Sequence, residues 1–208
     1  MPIQLDRFYP ILDSDLLAAA GVDPLELARV LTAAGARLVQ FRHKAAYTRE
    51  TYEQARAIGH IIQQAGGRYI INDRADVALM LGADGVHLGQ DDLPPAAVRQ
   101  IAGDKLFVGF STHNEEQLRA GDREPVDYLA IGPIFGTSSK ANPDPVVGVE
   151  ELRRLRAMTE KPLVAIGGIT RERAPEVLAA GADSVAVLSE IFGDDLNARA
   201  AEWAKLTR

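Results

Sequence analysis

The amino-acid sequence predicts a single-domain α/β fold, a (β/α)8 TIM barrel that spans residues 1–208. Short runs of Val, Ile, Leu and aromatic residues alternate with helix-like stretches along the whole chain. Glycine, proline or aspartate bounds each run, as is typical of buried parallel strands. Eight such runs fit a closed barrel better than an open doubly wound sheet, which usually has fewer strands and a glycine-rich turn near its start.

The predicted strands are short and apolar. They are Phe8–Leu12, Leu38–Phe41, Tyr69–Ile71, Gly85–Leu88, Leu106–Phe110, Tyr128–Ile131, Leu163–Ile166 and Ser184–Leu188. One helix-to-strand turn occurs twice, as Gly-Ala-Asp-Gly-Val at residues 82–86 and as Gly-Ala-Asp-Ser-Val at residues 181–185. This repetition indicates regular βα units.

Signals for helix starts and ends lie between the strands. Asp23, which precedes a proline, is typical of a capped helix start. Residues 48–64 place apolar side chains at helical spacing, so we expect an amphipathic helix there. Thr112 and Thr170 are predicted to cap two further helices, and Gly181 is predicted to end the second of these in the left-handed conformation.

The composition excludes several classes of protein. The chain has no cysteine, which excludes disulfides and thiolate metal sites. Its net charge of -6 argues against general nucleic-acid binding, although a locally positive pocket can still bind phosphorylated small molecules. No apolar run approaches the roughly 18 residues of a membrane span, and the first residues lack the organisation of a signal peptide. We therefore expect a cytoplasmic protein that does not contact membranes.

Polar side chains follow the second predicted strand, where barrels of this kind carry their active sites. Strand alternation predicts that Gln40, Arg42 and Lys44 lie on one side, opposite Phe41 and His43. If that side faces the barrel mouth, it carries one amide and two cations. The alternative is that the basic groups simply reach solvent at a strand end.

Carboxylates follow the third and fourth strands. Asn72 and Asp73 end the third strand, and Asp91 and Asp92 lie on the adjacent loop. Mg²⁺ prefers oxygen ligands from one or two carboxylates, completed by water and substrate phosphates. Asp73 and either Asp91 or Asp92 could supply such a site, whereas the structural alternative is that Asp73 and Asp92 only cap helices.

The later loops carry groups that suit anions. Ser111 follows the fifth strand, and the connection after the sixth strand, residues 132–145, is much longer than an ordinary βα loop. This long loop predicts a lid or a binding loop with hydroxyls and one cation. Gly167 and Gly168 follow the seventh strand and predict a phosphate site together with the loop after the eighth strand. His87 is predicted to be structural or to shape the substrate site rather than to act as a base.

These elements, taken in order, resemble the thiamine phosphate synthase family over essentially the whole chain. The matching segments are residues 40–44, 71–74, 84–92, 111–113, 132–135, 137–140, 147–149 and 166–170. The resemblance implies an enzyme, a transferase, that joins hydroxymethylpyrimidine diphosphate to hydroxyethylthiazole phosphate, with Mg²⁺ as cofactor and release of pyrophosphate. It also implies a TIM barrel and a possible homodimer.

The resemblance further implies roles for individual residues. The pyrimidine diphosphate would bind to Gln40, Phe41, Arg42, His43, Lys44, Asn72, Ser111 and Lys140. The thiazole phosphate would bind to Thr137, Ser138, Ser139, Gly168, Leu188 and Ser189. Asp73 and Asp92 would hold the metal, and Lys140, Arg42 and Ser111 would be catalytic. The pattern Gly-Gln-x-Asp favours Asp92 over Asp91 as the second ligand.

The sequence departs from the family pattern in two places. Gly136 stands where the family usually has proline, which is expected to loosen the long loop, and the first strand also differs from the usual pattern.

Two other functions are alternatives to this reaction. One alternative is a thiazole tautomerase on the same barrel, with His113 as its acid–base group. The other is a non-catalytic sensor of thiamine phosphate, which the complete set of diphosphate and metal positions disfavours.

Overall fold

Eight parallel strands follow one another around a closed barrel in chain order, and β1 pairs with β8 to complete the ring. The computed structural model describes residues 5–137, 144–193 and 195–206. The strands are β1 (Phe8–Asp13), β2 (Leu38–Arg42), β3 (Arg68–Asn72), β4 (Gly85–Leu88), β5 (Phe107–Thr112), β6 (Tyr128–Ile131), β7 (Leu163–Ile166) and β8 (Ser184–Val187). The predicted (β/α)8 barrel is confirmed.

Helices surround the barrel, and β1 is followed by two of them. They are α1 (Ser14–Ala20), α2 (Pro24–Ala34), α3 (Arg49–Gln64), α4 (Ala75–Leu81), α5 (Pro95–Ala102), α6 (Glu115–Arg123), α7 (Val149–Arg156), α8 (Ala174–Ala179) and α9 (Leu196–Leu206), with a short 3-10 helix at Ser189–Ile191. Asp23 caps α2 as predicted, because its carboxylate accepts a hydrogen bond from the Leu25 N–H at 3.0 Å. Within the described residues, no helix is long and apolar enough to cross a lipid bilayer.

Two predicted caps were wrong. Thr112 is the last residue of β5, where its hydroxyl donates to the Ala130 carbonyl at 2.8 Å. Asn114 caps α6 instead and accepts a hydrogen bond from the Gln117 N–H at 2.9 Å. Thr170 does not begin a helix, because a turn intervenes and α8 starts only at Ala174. Both errors arise because a hydroxyl after a strand can bond to the barrel or to a turn as readily as to a helix.

Four strands run beyond their predicted carboxyl ends into polar residues, β1, β2 and β3 by one residue each and β5 by two. Asp13 of β1 lies opposite Arg42 of β2, and Asn72 of β3 lies opposite His87 of β4. Backbone pairing therefore continues past the last apolar side chain in each strand. These polar side chains share the alternation of the strand, which fixes the direction in which they point.

Two apolar layers hold the barrel together. A small cluster, which includes Tyr9, Ile70, Tyr128 and Val164, fills the barrel interior. A much larger cluster lies between the outer face of the strands and the surrounding helices. α9 joins this outer layer through Trp203, whose ring stacks on Phe8 of β1 with 5.5 Å between the ring centroids. The interior cluster leaves the carboxyl end of the barrel to polar residues.

Gly132→Ala should lower the free energy of unfolding by about 1–3 kcal/mol, because it forces overpacking against fixed backbone. An added Cβ at Gly132, directly after β6, would collide with the carbonyl oxygen of Ile166 on β7. Gly136→Ala is the matched control in the same loop, since nothing lies within 4 Å of an added Cβ there. Urea denaturation of both variants measures the difference. Equal stability of the two variants would contradict the close approach of β6 and β7.

Candidate active site

A cavity of about 820 Å³ opens where the strands end, at the carboxyl end of the barrel. Its walls come from the loops that follow β2 to β8, so residues distant in sequence face one another. Several predicted site residues line it, namely Gln40, Arg42, Lys44, Asn72, Asp73, Asp92, Ser111, Thr137, Gly168, Leu188 and Ser189. Ser138, Ser139 and Lys140, which were also predicted, lie outside the described residues.

Phe41 and His43 do not line the cavity. The Phe41 side chain is fully buried in the layer between strands and helices. The ring of His43 lies parallel to that of Phe41, with 6.5 Å between centroids, and its Nδ1 is 2.9 Å from the Ser14 hydroxyl. Strand alternation thus brings Gln40, Arg42 and Lys44 together and leaves these two side chains on the other side. Their predicted contribution to substrate binding has no counterpart in the cavity.

Arg42 is held in place by Asp13, a carboxylate that the sequence reasoning missed. One oxygen of Asp13 forms an ion pair with the Arg42 guanidinium. The other oxygen accepts hydrogen bonds from the N–H groups of Asp15 and Leu16 at 3.1 and 3.0 Å, which caps α1. Asp13 is buried, so its charge requires these partners. One carboxylate therefore fixes both the start of α1 and the direction of a cation in the cavity.

The two predicted metal ligands lie on adjacent loops beside Lys44. The Lys44 ammonium is 2.6 Å from the Asp73 carboxylate. Asp73 is the one non-glycine residue in the described ranges with a left-handed backbone, at φ 63°, and its N–H donates to the His87 carbonyl at 2.8 Å. A strained backbone of this kind persists only where neighbouring structure holds it, and such positions cluster at functional sites.

Burial, followed by the neighbouring Asp73 carboxyl, raises the pKa of Asp92. One Asp92 oxygen accepts a hydrogen bond from the Gly89 N–H at 2.7 Å, which holds the side chain towards its own loop. A cation between the two carboxylates would relieve the cost of placing like charges together. Among residues 5–137, 144–193 and 195–206, no group of three or more His, Asp or Glu side chains could hold a metal. Mg²⁺ sites with substrate phosphates need only one or two carboxylates.

Neither Asp73 nor Asp92 caps a helix. Arg74 and Pro94 occupy the cap positions of α4 and α5, and neither helix start has a side-chain capping bond. Both residues line the cavity instead, and the structural alternative from the sequence was wrong for these two residues. Asp91 also borders the cavity but is exposed, whereas Asp92 is half-buried.

Asn72 presents an unpaired amide to the cavity. The residue is only 6% exposed, and its Nδ2 has no hydrogen-bond partner among the described residues. A buried donor without a partner costs free energy, so it is a natural contact for an oxygen of a ligand. Asn72 and the two cations at positions 42 and 44 together make this side of the cavity suited to an anion.

The opposite side of the cavity is built from backbone. Gly167 and Gly168 both have left-handed φ angles, 99° and 62°. An added Cβ would collide with Pro133 at the first position and with Gly136 and Phe135 at the second. The turn after β7 therefore packs directly on the base of the long loop after β6. Glycines at such a turn allow backbone N–H groups to approach an oxyanion closely.

Arg173 adds a cation to this side that the sequence did not predict. Its guanidinium carbon lies 4.4 Å from the centroid of the Phe135 ring, and its Nη1 donates to the Gly168 carbonyl at 3.1 Å. Arg173 lines the cavity. It escaped prediction because it lies five residues beyond the glycine turn, whereas strand ends were the guide to the site. Its stacking on Phe135 holds the guanidinium at the wall of the cavity.

Comparison with known proteins agrees with this geometry. The family model described as thiamine monophosphate synthase matches residues 8–191. The chain belongs to this family. A thiamine-phosphate synthase of Koribacter versatilis is 47% identical over 98% of this chain and 97% of its own length. One from Pelotomaculum thermopropionicum is 41% identical over 86% of this chain and 83% of its own length.

Solved structures show the same relationship. The thiamine phosphate pyrophosphorylase from Pyrococcus furiosus superposes with a TM-score of 0.86 at 32% identity, covering 97% of this chain and 95% of that chain. The resemblance inferred from the motifs is thus confirmed, and as a member of the thiamine monophosphate synthase family the protein is a transferase enzyme.

His87 and His113 also line the cavity of this thiamine monophosphate synthase family member. The His113 ring donates from Nδ1 to the Gly132 carbonyl at 2.6 Å, which ties β5 to the start of the long loop. His87 lies in β4, with Nδ1 3.0 Å from the Tyr128 hydroxyl and Nε2 2.9 Å from the Ser111 hydroxyl. Burial lowers the pKa of His87 to about 4, with the nearby Asp92 charge acting in the opposite direction.

His87 should therefore remain neutral from neutral pH down to about pH 4. An ordinary histidine would be half protonated near pH 6.5, so the two cases are well separated. Nitrogen NMR of the imidazole in labelled protein measures the midpoint, and the spectrum of His87→Asn assigns the resonance. A midpoint close to 6.5 would contradict the buried, neutral ring.

Proposed function

We propose that the protein condenses hydroxymethylpyrimidine diphosphate with hydroxyethylthiazole phosphate to give thiamine phosphate and pyrophosphate, in a Mg²⁺-dependent reaction. The observation that carries this proposal is one cavity with two regions suited to anions. One region holds the cations of Arg42 and Lys44 beside a pair of carboxylates, and the other is the glycine turn after β7. The relatives named thiamine-phosphate synthase support the same reaction.

In this proposal the diphosphate binds in the first region. Arg42, directed by Asp13, and Lys44 supply positive charge, and the unpaired Asn72 amide supplies a neutral donor. Charge-assisted hydrogen bonds of this kind strengthen as negative charge develops on the oxygen that they contact. Lys140, which the family resemblance places with these groups, lies outside the described residues.

Mg²⁺ fits the carboxylate pair. Asp73 and Asp92 would hold it, with diphosphate oxygens and water completing an oxygen-only set. The Lys44 ammonium, 2.6 Å from Asp73, supports a place for positive charge at this pair. Burial raises the pKa of Asp92, and the neighbouring Asp73 carboxyl adds to the rise, a repulsion that a cation between the two would relieve. When bound, Mg²⁺ would stabilise the negative charge that grows on the leaving diphosphate.

The thiazole phosphate is placed in the second region. The backbone of Gly168, the hydroxyls of Thr137 and Ser189, and the cation of Arg173 all border this part of the cavity. Loops after the seventh and eighth strands form the usual phosphate site of barrels that bind phosphate. The two substrates would then lie side by side, which supplies much of the orientation that a two-substrate reaction needs.

The chemistry that we propose is dissociative. Pyrophosphate leaves first, and the thiazole nitrogen captures the carbocation that the pyrimidine ring stabilises. Such a reaction requires stabilisation of the leaving group and exclusion of water rather than a protein nucleophile. The base of the long loop, which lines the cavity at Gly132, Pro133, Gly136, Thr137 and Asp144, is placed to exclude water.

One assay tests the proposed function. Purified protein mixed with both substrates and Mg²⁺ should yield thiamine phosphate and pyrophosphate in equal amounts. Chromatography measures the thiamine phosphate, and a phosphate-release assay measures the pyrophosphate. Omission of either substrate is the control and should abolish pyrophosphate release. Binding of substrates without turnover would favour the sensor instead. Interconversion of thiazole phosphate isomers alone would favour the tautomerase, for which His113 lies in the cavity.

Asp73→Asn and Asp92→Asn should each raise the Mg²⁺ concentration for half-maximal activity by about tenfold or more, because removal of a ligand charge weakens a site with few ligands. Asp91→Asn is the matched control: it alters an exposed carboxylate on the same loop and should leave the titration within about twofold of wild type. Activity measured over a Mg²⁺ series gives these values. An unchanged titration in Asp73→Asn would remove that residue from the metal site.

A further inference from the structure

Beneath the cavity, a continuous chain of hydrogen bonds crosses the interior of the barrel. The Ser111 hydroxyl is 2.9 Å from Nε2 of His87, and Nδ1 of His87 is 3.0 Å from the Tyr128 hydroxyl. The Tyr128 and Tyr9 hydroxyls are 3.0 Å apart. Gln40 donates from Nε2 to the Tyr9 hydroxyl at 2.9 Å. This chain of hydrogen bonds therefore joins Gln40 of β2 to Ser111 of β5.

The middle of this chain is closed to solvent. Tyr9 and Tyr128 are 1% and 0% exposed, and both belong to the apolar cluster that fills the barrel. Hydrogen bonds in such surroundings polarise one another, and a missing partner cannot be replaced by water. Only the two ends, Gln40 and Ser111, reach the cavity along with the edge of the His87 ring.

The number of protons available sets a donor-to-acceptor order along these hydrogen bonds. Gln40 donates to Tyr9. Because a buried hydroxyl proton needs an acceptor, we assign the Tyr9 proton to the Tyr128 oxygen and the Tyr128 proton to Nδ1 of His87, the neighbours at 3.0 Å in each case. The neutral imidazole then carries its proton on Nε2 and donates to Ser111. Ser111 keeps its own proton for the cavity, and Gln40 keeps its carbonyl oxygen.

The two ends consequently offer different groups. Gln40 presents its carbonyl oxygen, an acceptor, together with the second N–H of its amide, and Ser111 presents a hydroxyl donor. Reversal of the chain would exchange the two roles, but it would not make the ends alike. A ligand that bonds to the Gln40 oxygen and to the Ser111 hydroxyl proton therefore offers one donor and one acceptor, as a heteroaromatic ring with an amino group beside a ring nitrogen does.

We propose that Tyr9, Tyr128 and His87 are positioning residues that couple Gln40 to Ser111 across the barrel, so that the two ends recognise an aminopyrimidine ring as one unit. This inference rests on the proposed function, because it takes the pyrimidine substrate as the ligand. None of the three acts on the reacting atoms. Their effect is exerted through the orientation of the amide and of the hydroxyl.

A double-mutant cycle tests the coupling. Gln40→Ala, Ser111→Ala and the double variant are made in the wild-type protein and again in Tyr128→Phe, which removes one hydroxyl from the chain. Calorimetry gives the Kd of the pyrimidine diphosphate for each protein. In the wild-type background we expect the two losses of affinity to be non-additive by about fivefold or more, the range for residues in one network. In the Tyr128→Phe background the loss of affinity in the double variant should equal the product of the two single losses to within about twofold.

Tyr69→Phe is the matched control. Tyr69 is as buried as Tyr9, but its hydroxyl donates to the Ala55 carbonyl at 2.8 Å, outside the chain. This variant loses one buried hydrogen bond and should retain the full coupling between Gln40 and Ser111. If Tyr128→Phe does not fold, Tyr9→Phe interrupts the chain at the next link and replaces it in the cycle.

The outcomes distinguish failure of the coupling from failure of the proposed reaction. Binding is measured without turnover, so a protein that binds the pyrimidine diphosphate but forms no product would refute the proposed function and still test the chain. Coupling that survives in Tyr128→Phe, or that is lost equally in Tyr69→Phe, would overturn the inference. Failure of the wild-type protein to bind the pyrimidine diphosphate would overturn both.

Discussion

Closure of the barrel by pairing of β1 with β8 is the constraint on which the site depends. In a closed ring of parallel strands, every carboxyl end opens on the same mouth, so side chains far apart in sequence meet there. Arg42 and Ser189 line one cavity for this reason. Pairing of β1 with β2 in the same ring places Asp13 beside Arg42, where their backbones are in register. The local strand ends and the overall ring together create the site.

In the first region of the cavity the two cations are each paired with a carboxylate, although the chain as a whole carries a net charge of -6. Each cation of the first region contacts a carboxylate from a neighbouring strand or loop, Arg42 with Asp13 and Lys44 with Asp73. Such pairing holds long side chains in one place before a ligand arrives. An anionic ligand with a metal ion then meets both signs of charge at once, which suits a diphosphate better than a simple carboxylate.

The sequence was sufficient for the fold and for most of the cavity, because both depend on local patterns. Apolar runs located all eight strands, and the polar residues that follow them, such as Asn72 and Asp73, were found by the same rule. Residues whose role depends on distant contacts were missed. Asp13 acts through a neighbouring strand, and Tyr9 meets Tyr128, which is 119 residues away. Both tyrosines look like ordinary core residues in sequence, because only the closed barrel brings their hydroxyls together.

The contact between the glycine turn after β7 and the loop after β6 has a mechanical consequence. Because Gly167 and Gly168 pack against main-chain and Cβ atoms of residues 133–136, the spacing on that side is set by atoms whose positions the backbone determines. It does not change when side chains change rotamer. The other region of the cavity ends in the long side chains of Arg42 and Lys44, whose positions are set by ion pairs with Asp13 and Asp73. The shape of one region of the cavity therefore depends on backbone packing, whereas that of the other depends on ion pairs, which a substitution of Asp13 or Asp73 would release.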